Sequence, residues 1–477
     1  MRLCLQARLP LEVFSSIARV SLLLTITSLC VVNAIKWSSE NDGRYLPDWD
    51  SLDSRLAPAW YDRAKIGIFV HWGVFSVPSF QSEWFWWNWQ GKKDKYVVDF
   101  MKRNYPPGWK YADFARGFRA ELFNASRWAH LFRSAGAKYV VITSKHHEGY
   151  TLWPSATSFN WNSRDVGPGK DLVGELANAV RATGDLHFGL YHSLFEWFNP
   201  LYIEDKKNLF FTQKFVEGKV GPELYDLVNT YKPDVIWSDG DWETFPEYWN
   251  ATNFLAWLYN DSPVKDTVLV NDRWGVGTQG KHGDFYNYAD RFDPGKLKPH
   301  KWENAMTLDK VSWGYRREMT IDDVYTLQEL LELLAKTISC NGNLLINIGP
   351  RADGTIDAIF EERLLQLGKW LEYNGEAIYE SRPWTSQRDS VNSNVWYTCK
   401  GSTVYAIVAD LPSNGTLRLG ALNSKNLDTD SVVTRLEDGN ILKFKADNLG
   451  ATFKVPPLSV PRTLPTTAFV IKVDFQV

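Results

Sequence analysis

The chain has 477 residues and a formal net charge of −3, from 53 basic and 56 acidic side chains mixed along its length. This length allows one large domain with a smaller one, or three small domains. Because the sequence has no basic stripe and no long run of like charge, its composition argues against a nucleic-acid-binding protein and against a disordered tail. Aromatic residues make up 15 % and include 23 tryptophans, an excess that suits either a large core or a carbohydrate site.

Residues 1–34 are predicted to be a secretory signal peptide. Arg2, Arg8 and Arg19 precede the apolar run 20–32, and Ala34 supplies a small residue for cleavage. The apolar run is shorter than the roughly 20 residues that a membrane span needs, and no other segment is long and apolar enough. The mature chain is therefore predicted to start near Ile35 and to have no membrane anchor.

Three acceptor sequons, at Asn124, Asn250 and Asn414, fit a secretory route and are predicted to carry glycans. Beyond the signal peptide, the cysteines are Cys340 and Cys399. In an oxidising compartment they either form one disulfide or stay as two buried thiols. The sequence leaves both alternatives open, with a slight preference for thiols.

Apolar strands and amphipathic helices alternate along most of the chain. A helix is predicted to start within 56–62, and strands are predicted at 66–73 with His71 at the strand end, and at 139–144, 187–191, 235–238, 267–271 and 343–348. Further helices are predicted at 124–137, 170–183, within 211–231, and at 322–339 and 360–373. This alternation predicts parallel βαβ units, most economically a (β/α) TIM-like barrel, with a doubly wound sheet as the alternative. The aromatic stretch 81–89 lacks clear periodicity and is predicted to be a loop over the site.

After residue 384 the pattern changes to short, often alternating runs separated by turn residues, at 395–398, 403–409, 416–419, 432–436, 442–445 and 468–473. This pattern predicts a small antiparallel β-sandwich. The predicted domains are therefore a barrel at 35–384 and a C-terminal sandwich at 385–477.

The strand ends carry polar side chains that can do chemistry. They are His71, His146, His147, Tyr191, His192, Asp239 and Arg273. Each histidine alone is more often a structural residue than a functional one. Because the carboxyl ends of barrel strands meet at one mouth, the cluster as a whole predicts a site there.

The stretch V-I-W-S-D-G-D-W-E at 235–243 is predicted to be the centre of this site. Asp239 stands at the end of a buried strand, between Trp237 and Trp242. A carboxylate beside aromatic planes suits a sugar, because the rings cover its apolar face while the carboxylate attacks the anomeric carbon. The simpler alternative is an acidic loop that caps the next helix.

Two chemistries could use these residues. A metal-dependent hydrolase would place imidazoles and a carboxylate on zinc, but the first strand offers only His71 where such barrels usually carry two histidines, and H-E-x-x-H is absent. A glycosidase would use neutral histidine and tyrosine to bind sugar hydroxyls and two carboxylates for the reaction. The aromatic loop at 81–89 favours the glycosidase.

Several motifs in order resemble one family closely. F-V-H-W-G at 69–73, S-K-H-H-E-G at 144–149, V-I-W-S-D-G-D-W-E at 235–243, V-N-D-R-W-G at 270–275 and N-I-G-P at 347–350 are similar to the α-L-fucosidases of glycoside hydrolase family 29, the animal lysosomal enzymes in particular. The resemblance covers almost the whole mature chain.

The resemblance implies a retaining exo-hydrolase that releases terminal α-L-fucose from fucosylated glycans, with no metal or other cofactor. It implies Asp239 as nucleophile, and by motif matching it implies fucose binding by His71, Glu83, Trp84, His146, His147, Tyr191 and Arg273. Trp84 and Trp313 are candidates for an apolar pocket around the sugar methyl group. A homo-tetramer and a lysosomal or secreted location are implied by the family alone.

The position of the acid/base varies across the family, and two residues are candidates. Asp290 is preferred and Glu303 is the second candidate. A protonated carboxylic acid needs a raised pKa, which apolar surroundings such as Phe285, Tyr286 and Phe292 could supply. The family signature that includes Glu303 continues with a cysteine where this chain has Ala305, so a catalytic thiol is not expected. A catalytically silent fucose-binding lectin is the competing class to an enzyme.

Overall fold

The computed structural model describes residues 43–410, 412, 414–428, 430–457 and 468–475. The predicted signal peptide at 1–34 lies outside the described residues. The chain divides into a unit that ends at Leu46 and a second unit, Pro47–Val477, to which all of the architecture below belongs. In the described ranges, no helix has both the length and the apolar character to cross a bilayer.

Seven parallel strands curl into a barrel in the order β5-β4-β3-β2-β1-β7-β6. They are β1 (Ile66–Val70), β2 (Tyr139–Lys145), β3 (His187–Ser193), β4 (Val235–Asp239), β5 (Leu269–Val270), β6 (Trp302–Thr307) and β7 (Gly342–Ile348). Val70 of β1 pairs with Ile142 on one side and with Ile348 on the other. This order follows the chain around a ring, which confirms the predicted barrel and differs from the reversal of a doubly wound sheet.

An irregular segment, 284–287, joins the two edge strands. The backbone N–H groups of Asp284 and Phe285 both donate to the carbonyl of Val270 in β5, at 3.0 and 3.4 Å. On the other side, Tyr286 N–H donates to Lys301 O at 3.0 Å and forms a parallel bridge with Trp302 of β6. The segment therefore occupies the eighth position of the barrel wall without forming a regular strand. We call it the seam.

The helices lie between the strands along the chain. In the described residues the α-helices are α1 (Trp49–Asp53), α2 (Trp60–Ala64), α3 (Lys95–Asn104), α4 (Ala125–Ser134), α5 (Leu172–Ala182), α6 (Pro200–Lys207), α7 (Gly221–Tyr231), α8 (Ala251–Asn260), α9 (Leu327–Ser339) and α10 (Ala358–Asn374). α9 shows why such segments are helical. Its start is a capping box between Thr326 and Glu329, and its leucines recur at helical spacing on the buried face.

The C-terminal domain consists of two antiparallel sheets. Its strands are β8 (Arg382–Arg388), β9 (Val395–Lys400), β10 (Thr403–Val408), β11 (Thr416–Leu419), β12 (Val432–Arg435), β13 (Phe444–Asp447), β14 (Gly450–Lys454) and β15 (Phe469–Asp474). Five form a sheet in the order β12-β15-β10-β9-β8, and three form β11-β14-β13. Tyr397 and Ile471 of the first sheet share a core with Leu419 and Phe453 of the second, which confirms the predicted β-sandwich.

Specific contacts join the sandwich to the last barrel helix. Trp370 of α10 donates from Nε1 to the carbonyl of Ala468 at 3.0 Å, and Tyr405 of β10 donates to Glu376 at 2.8 Å. β8 begins at Arg382, so the predicted domain boundary between residues 384 and 385 falls inside it. The two domain ranges, 35–384 and 385–477, stay predictions.

Candidate active site

A cavity of about 100 Å³ opens at the carboxyl ends of the barrel strands. His71 follows β1 directly, His146 and His147 follow β2, and Asp239 is the last residue of β4. The lining consists of Phe69, His71, Glu83, Trp84, His146, His147, Tyr191, Trp237, Asp239, Trp242, Arg273, Asp290 and Trp313. Strand topology thus gathers chemically capable side chains from across the sequence into one pocket.

The structure brings together ten of the eleven residues proposed from the sequence for catalysis and sugar binding. Glu303 is the exception, because it is buried in the barrel interior and does not line the pocket. Phe69, Trp237 and Trp242 also line the pocket. Phe69 was not proposed from the sequence, and Trp237 and Trp242 were noted as aromatic neighbours of Asp239 but not named among the sugar-binding residues. Alternation along a strand could have found two of them, since Phe69 stands two residues before His71 and Trp237 two residues before Asp239.

Asp239 is held by donors on both carboxylate oxygens. The hydroxyl of Tyr191 donates to Oδ2 at 2.7 Å, and Nη1 of Arg273 donates to Oδ1 at 3.0 Å. Nε2 of His147 lies 3.5 Å from Oδ2. The carboxylate is mostly buried, and its donors fix its orientation towards the cavity.

Arg273 joins two carboxylates. Besides Asp239, its guanidinium reaches Asp290, where Nη2 donates to Oδ1 at 2.5 Å. The guanidinium also lies 4.7 Å from the ring centre of Trp237, on which it stacks. The three neighbouring acids, Asp290 first, raise the pKa of Arg273 further above its usual value against the opposing effect of burial, so the side chain is a permanent cation.

Asp290 follows the seam by three residues and is half exposed at the mouth of the pocket, with its side chain 48 % accessible. The apolar neighbours expected for it lie elsewhere. Phe285 is fully buried against Tyr61, and Phe292 packs on Tyr288 and Trp302. Arg273 contacts Asp290 instead, through the hydrogen bond from Nη2.

Glu83 fixes the loop that carries Trp313. Its Oε2 accepts hydrogen bonds from the backbone N–H groups of Trp313 and Gly314, at 3.0 and 3.1 Å. The hydroxyl of Ser312 lies 3.1 Å from the same oxygen, but its one proton has a nearer acceptor in the carbonyl of Gly314 at 2.7 Å. Two backbone donors therefore converge on one buried oxygen. Glu83 thus reaches the site and also positions the opposite wall of the pocket. The prediction that 81–89 is a loop is wrong for its second half, because Trp87–Gly91 forms a π-helix.

The hydrogen-bond network assigns the tautomer of His71. Asn347 donates from Nδ2 to the carbonyl of Trp313 at 2.7 Å, so its Oδ1 faces His71 Nδ1 at 2.7 Å as an acceptor. His71 must then carry its proton on Nδ1. Burial, followed by the neighbouring His146, lowers the pKa of His71 well below 6.5. Nε2 is therefore a neutral acceptor that can take a hydrogen bond from a sugar hydroxyl.

The hydrogen-bond network also assigns the tautomer of His147, with the proton on Nδ1. Ser193 donates its hydroxyl proton to the carbonyl of Phe195 at 2.6 Å, so it accepts from Nδ1–H of His147 at 2.7 Å. Burial, followed by His146 and His71, lowers the pKa of His147 well below 6.5. Its Nε2 is thus an acceptor beside Asp239.

His146 faces a different partner, Glu148. Nδ1 of His146 lies 3.4 Å from Oε2 of Glu148, and both residues are buried. Neither carboxylate oxygen of Glu148 has a hydrogen bond within the described residues. The carboxylate can therefore orient the imidazole only through this one approach.

Glu303 is a hub beneath the pocket floor. Oε2 accepts from the hydroxyls of Tyr61 and Tyr139 at 2.6 and 2.7 Å, and Oε1 accepts from Trp237 Nε1 at 2.9 Å and from Asn287 Nδ2 at 3.3 Å. Burial raises the pKa of Glu303 against the effect of these donors. The side chain links β2, β4, β6 and the seam.

A third acid, Asp241, lies close behind Asp239. It is buried, and this burial, with a further contribution from Asp239, raises its pKa to about 7. Arg273 acts in the opposite direction. Asp241 is therefore uncharged in acid and gains its charge near neutrality.

Within the described ranges, no group of three or more His, Cys, Asp or Glu side chains is arranged to hold a metal ion. Cys340 and Cys399 are both free. Neither cysteine lines the pocket.

A barrel whose mouth places two carboxylates, neutral imidazoles and indole walls around one small cavity has the architecture of a glycoside hydrolase. The known proteins that resemble the chain agree with this class. A family model described as Alpha-L-fucosidase matches residues 32–376, and a second, described as Alpha-L-fucosidase C-terminal domain, matches residues 387–474.

Among curated relatives, an alpha-L-fucosidase of Branchiostoma floridae is 59 % identical, over 87 % of this chain and 92 % of the relative. The tissue alpha-L-fucosidase of Homo sapiens is 54 % identical, over 92 % and 94 %. A crystal structure of Thermotoga maritima alpha-fucosidase in complex with fucose superposes with a TM-score of 0.76 at 33 % identity, covering 90 % of this chain and all of that one. The chain therefore belongs to the α-L-fucosidase family, and the protein is a glycoside hydrolase with α-L-fucosidase activity.

Proposed function

We propose that this enzyme hydrolyses terminal α-L-fucosides with retention of configuration, through a β-fucosyl intermediate on Asp239. The observation that carries the proposal is the Arg273 guanidinium, which contacts Asp239 through one nitrogen and Asp290 through another. Two carboxyl groups bound to one guanidinium stay close together. This suits the spacing of about 5–5.5 Å in retaining enzymes better than the wider spacing of inverting ones.

Asp239 is the nucleophile. Tyr191 and Arg273 hold its carboxylate at the end of β4, facing the cavity. A carboxylate oxygen has the lone pair that nucleophilic attack requires. Its oxygen bonds to the anomeric carbon as the bond from that carbon to the leaving oxygen breaks.

Asp290 is the acid/base. Its half-exposed position at the mouth supports contact with the leaving group and then with water, which a proton carrier needs in the two steps. It gives its proton to the leaving oxygen in the first step. In the second step it takes a proton from water, whose oxygen bonds to the anomeric carbon and releases Asp239. The burial of Glu303 beneath the floor supports Asp290 over Glu303 in this role.

Sugar recognition combines acceptors with an apolar wall. The neutral Nε2 atoms of His71 and His147 accept hydrogen bonds from fucose hydroxyls, and His146 and Glu83 supply further polar contacts. Phe69, Trp237 and Trp313 line the same cavity and give the methyl group of fucose an apolar surface. Trp84 and Tyr191 complete the predicted binding set. No metal takes part.

Substrates are proposed to be fucosylated glycoproteins, glycolipids and oligosaccharides met in a lysosomal or secreted location. The relatives named tissue and plasma alpha-L-fucosidase support this location. The asparagines of the three sequons are exposed, which supports glycan attachment at Asn124, Asn250 and Asn414. A tetramer stays a prediction from the family.

Chemical rescue tests the two carboxylates. Asp239→Gly opens the β face, so azide should displace the leaving group directly and give β-fucosyl azide. Asp290→Gly should still form the intermediate from a fucoside whose leaving group needs no proton, and azide should then give α-fucosyl azide. Ordinary activity in Asp239→Gly would overturn the assignment.

Turnover of an aryl α-L-fucoside with and without chelator tests the remaining alternatives. Undiminished turnover in chelator is expected. Binding of fucose without turnover would indicate a lectin, whereas stoichiometric zinc that is lost together with activity in His146→Ala would indicate a metal-dependent hydrolase.

A further inference from the structure

The cavity has one open side, and tryptophans border it. Phe69 and Trp237 are buried and line the cavity from the barrel interior. A fucose ring held against Asp239 therefore has no room beneath it for a second sugar. The leaving group to which fucose is linked must therefore lie at the mouth, beside Trp242 and Asp290.

Trp242 is the most exposed tryptophan in the described part of the chain, at 46 %. Its ring is nevertheless held in place. It makes edge contacts with His147 and Phe195, each at 5.4 Å between ring centres. Its neighbour Glu243 is fixed by hydrogen bonds from Tyr202 and Lys206. An exposed indole with so little freedom loses little conformational entropy when a ligand stacks on it.

Four partly buried tryptophans adjoin Trp242 in a series of ring contacts. The ring of Trp84 lies nearly parallel to that of Trp242, at 6.1 Å and 23°. Trp84 meets Trp197 edge-on at 5.3 Å, and Trp197 stacks with Trp86 at 5.7 Å and with Trp87 at 6.3 Å. We call these five residues the tryptophan shelf. It draws on the segment 81–89, the residues after β3 and the residues after β4.

We infer that the tryptophan shelf is a leaving-group subsite, in which Trp242 takes the pyranose ring to which fucose is linked. The inference rests on the proposed function, because it needs fucose to occupy the cavity. An indole stacks on the apolar C–H face of a pyranose, and this contact does not depend on the pattern of hydroxyl groups. The subsite should therefore accept hexoses and N-acetylhexosamines alike, with the partly buried rings behind Trp242 available to the next sugar.

Trp242→Ala tests the inference with two substrates that share fucose and differ in the leaving group. α-L-Fucosyl fluoride loses a single atom, whereas a fucosylated disaccharide loses a pyranose that can stack. The ratio of kcat/KM for the disaccharide to kcat/KM for the fluoride should fall by roughly fivefold to tenfold in Trp242→Ala, the range expected for one aromatic contact. Trp242→Phe should recover most of the ratio.

Phe245→Ala is the matched control. Phe245 is 63 % exposed and only three residues away, yet it lines a different cavity and not the pocket. Its removal should leave the ratio unchanged. Equal losses on both substrates in Trp242→Ala, or no loss on either, would overturn the inference. If the wild type hydrolysed neither substrate, the proposed function itself would fail, so the two failures are distinguishable.

Discussion

The indole of Trp237 donates from Nε1 to Oε1 of Glu303 at 2.9 Å, and so ties the pocket floor to the barrel interior. Glu303→Gln replaces one acceptor oxygen by a donor, which leaves at least one of the four buried donors unpaired. The free energy of unfolding should fall by about 2 kcal/mol, as measured by urea denaturation.

Azide rescue and the pH–rate profile distinguish a positioning role of Glu303 from an acid/base role. Glu303→Gly should give no α-fucosyl azide in azide, and the shape of the pH–rate profile should not change in Glu303→Gln. Tyr139→Phe, which removes only one donor to Glu303, should be milder than Glu303→Gln in both stability and rate. If Glu303→Gly yielded α-fucosyl azide while Asp290→Gly stayed active on natural fucosides, the acid/base role would pass to Glu303.

His71 is predicted to contribute as a neutral acceptor. His71→Phe should lower kcat/KM for an aryl α-L-fucoside by roughly 5- to 150-fold, the loss expected for one to three kcal/mol of hydrogen bonding. The loss should largely disappear with the deoxyfucoside that lacks the hydroxyl bound by His71. His130→Ala, on the exposed side of α4, is the control and should have wild-type kinetics. Equal losses on every deoxyfucoside would contradict a specific hydrogen bond.

Acid should stabilise the fold through Asp241. Burial raises its folded-state pKa to about 7, from 3.8 in an unfolded chain. Its stabilising contribution is therefore complete below pH about 4 and is lost as pH rises through about 7, a change of up to about 4 kcal/mol. In Asp241→Asn the fall in stability between pH 4.5 and about 7.5 should be smaller, as measured by thermal unfolding across that range.

Glu437 in the C-terminal domain is a second buried acid whose effect on the pH dependence of stability can be compared with that of Asp241. Burial also raises its pKa to about 7, so Glu437→Gln should remove a separate share of the same pH dependence. The double variant should then give the flattest profile. A wild-type-like slope in Asp241→Asn would show that Asp241 ionises normally in the folded protein.

Thiol chemistry should be irrelevant to turnover. Cys340 is buried, which raises its pKa to about 11, and Cys399 lies in the sandwich. Replacing both by serine should leave kcat unchanged in folded protein. Mass spectrometry after iodoacetamide treatment near neutral pH should show little labelling of Cys340, since little thiolate is present. A folded double variant without activity would refute the prediction.

Periodicity predicted the strands that are apolar throughout and missed those that carry polar side chains inward. β6, W-E-N-A-M-T, was not predicted, because Glu303 and Asn304 interrupt its apolar pattern. Glu303 is tolerated in the barrel because tyrosines from α2 and β2, together with Trp237 and Asn287, supply donors. Those partners come from distant parts of the chain, and local sequence gives no sign of them. β8 was missed for a related reason, since Pro383 and two arginines make it look like a linker.

The sequence placed most of the candidate site residues at strand ends. His71, His147 and Asp239 stand at strand ends, and barrel topology alone brings strand ends together. Trp242 was noted beside Asp239, but nothing local separates an indole at the rim from one in the core. The surroundings of Asp290 were also predicted wrongly in detail, because the direction of Phe285 and Phe292 depends on how the irregular segment 284–287 crosses the barrel wall.

The segment 284–287 is the part of the barrel wall that should open most easily. β1 and β2 pair over four residues, whereas the seam meets β5 through two backbone N–H groups that share the carbonyl of Val270 and through the N–H of Val270, which donates to the Asp284 side chain. Transient breathing of the barrel should therefore start there, and backbone amides of 284–287 should exchange with deuterium sooner than those of β1 or β2. Since Asp290 stands three residues beyond, a glycan seated at the mouth should slow that exchange.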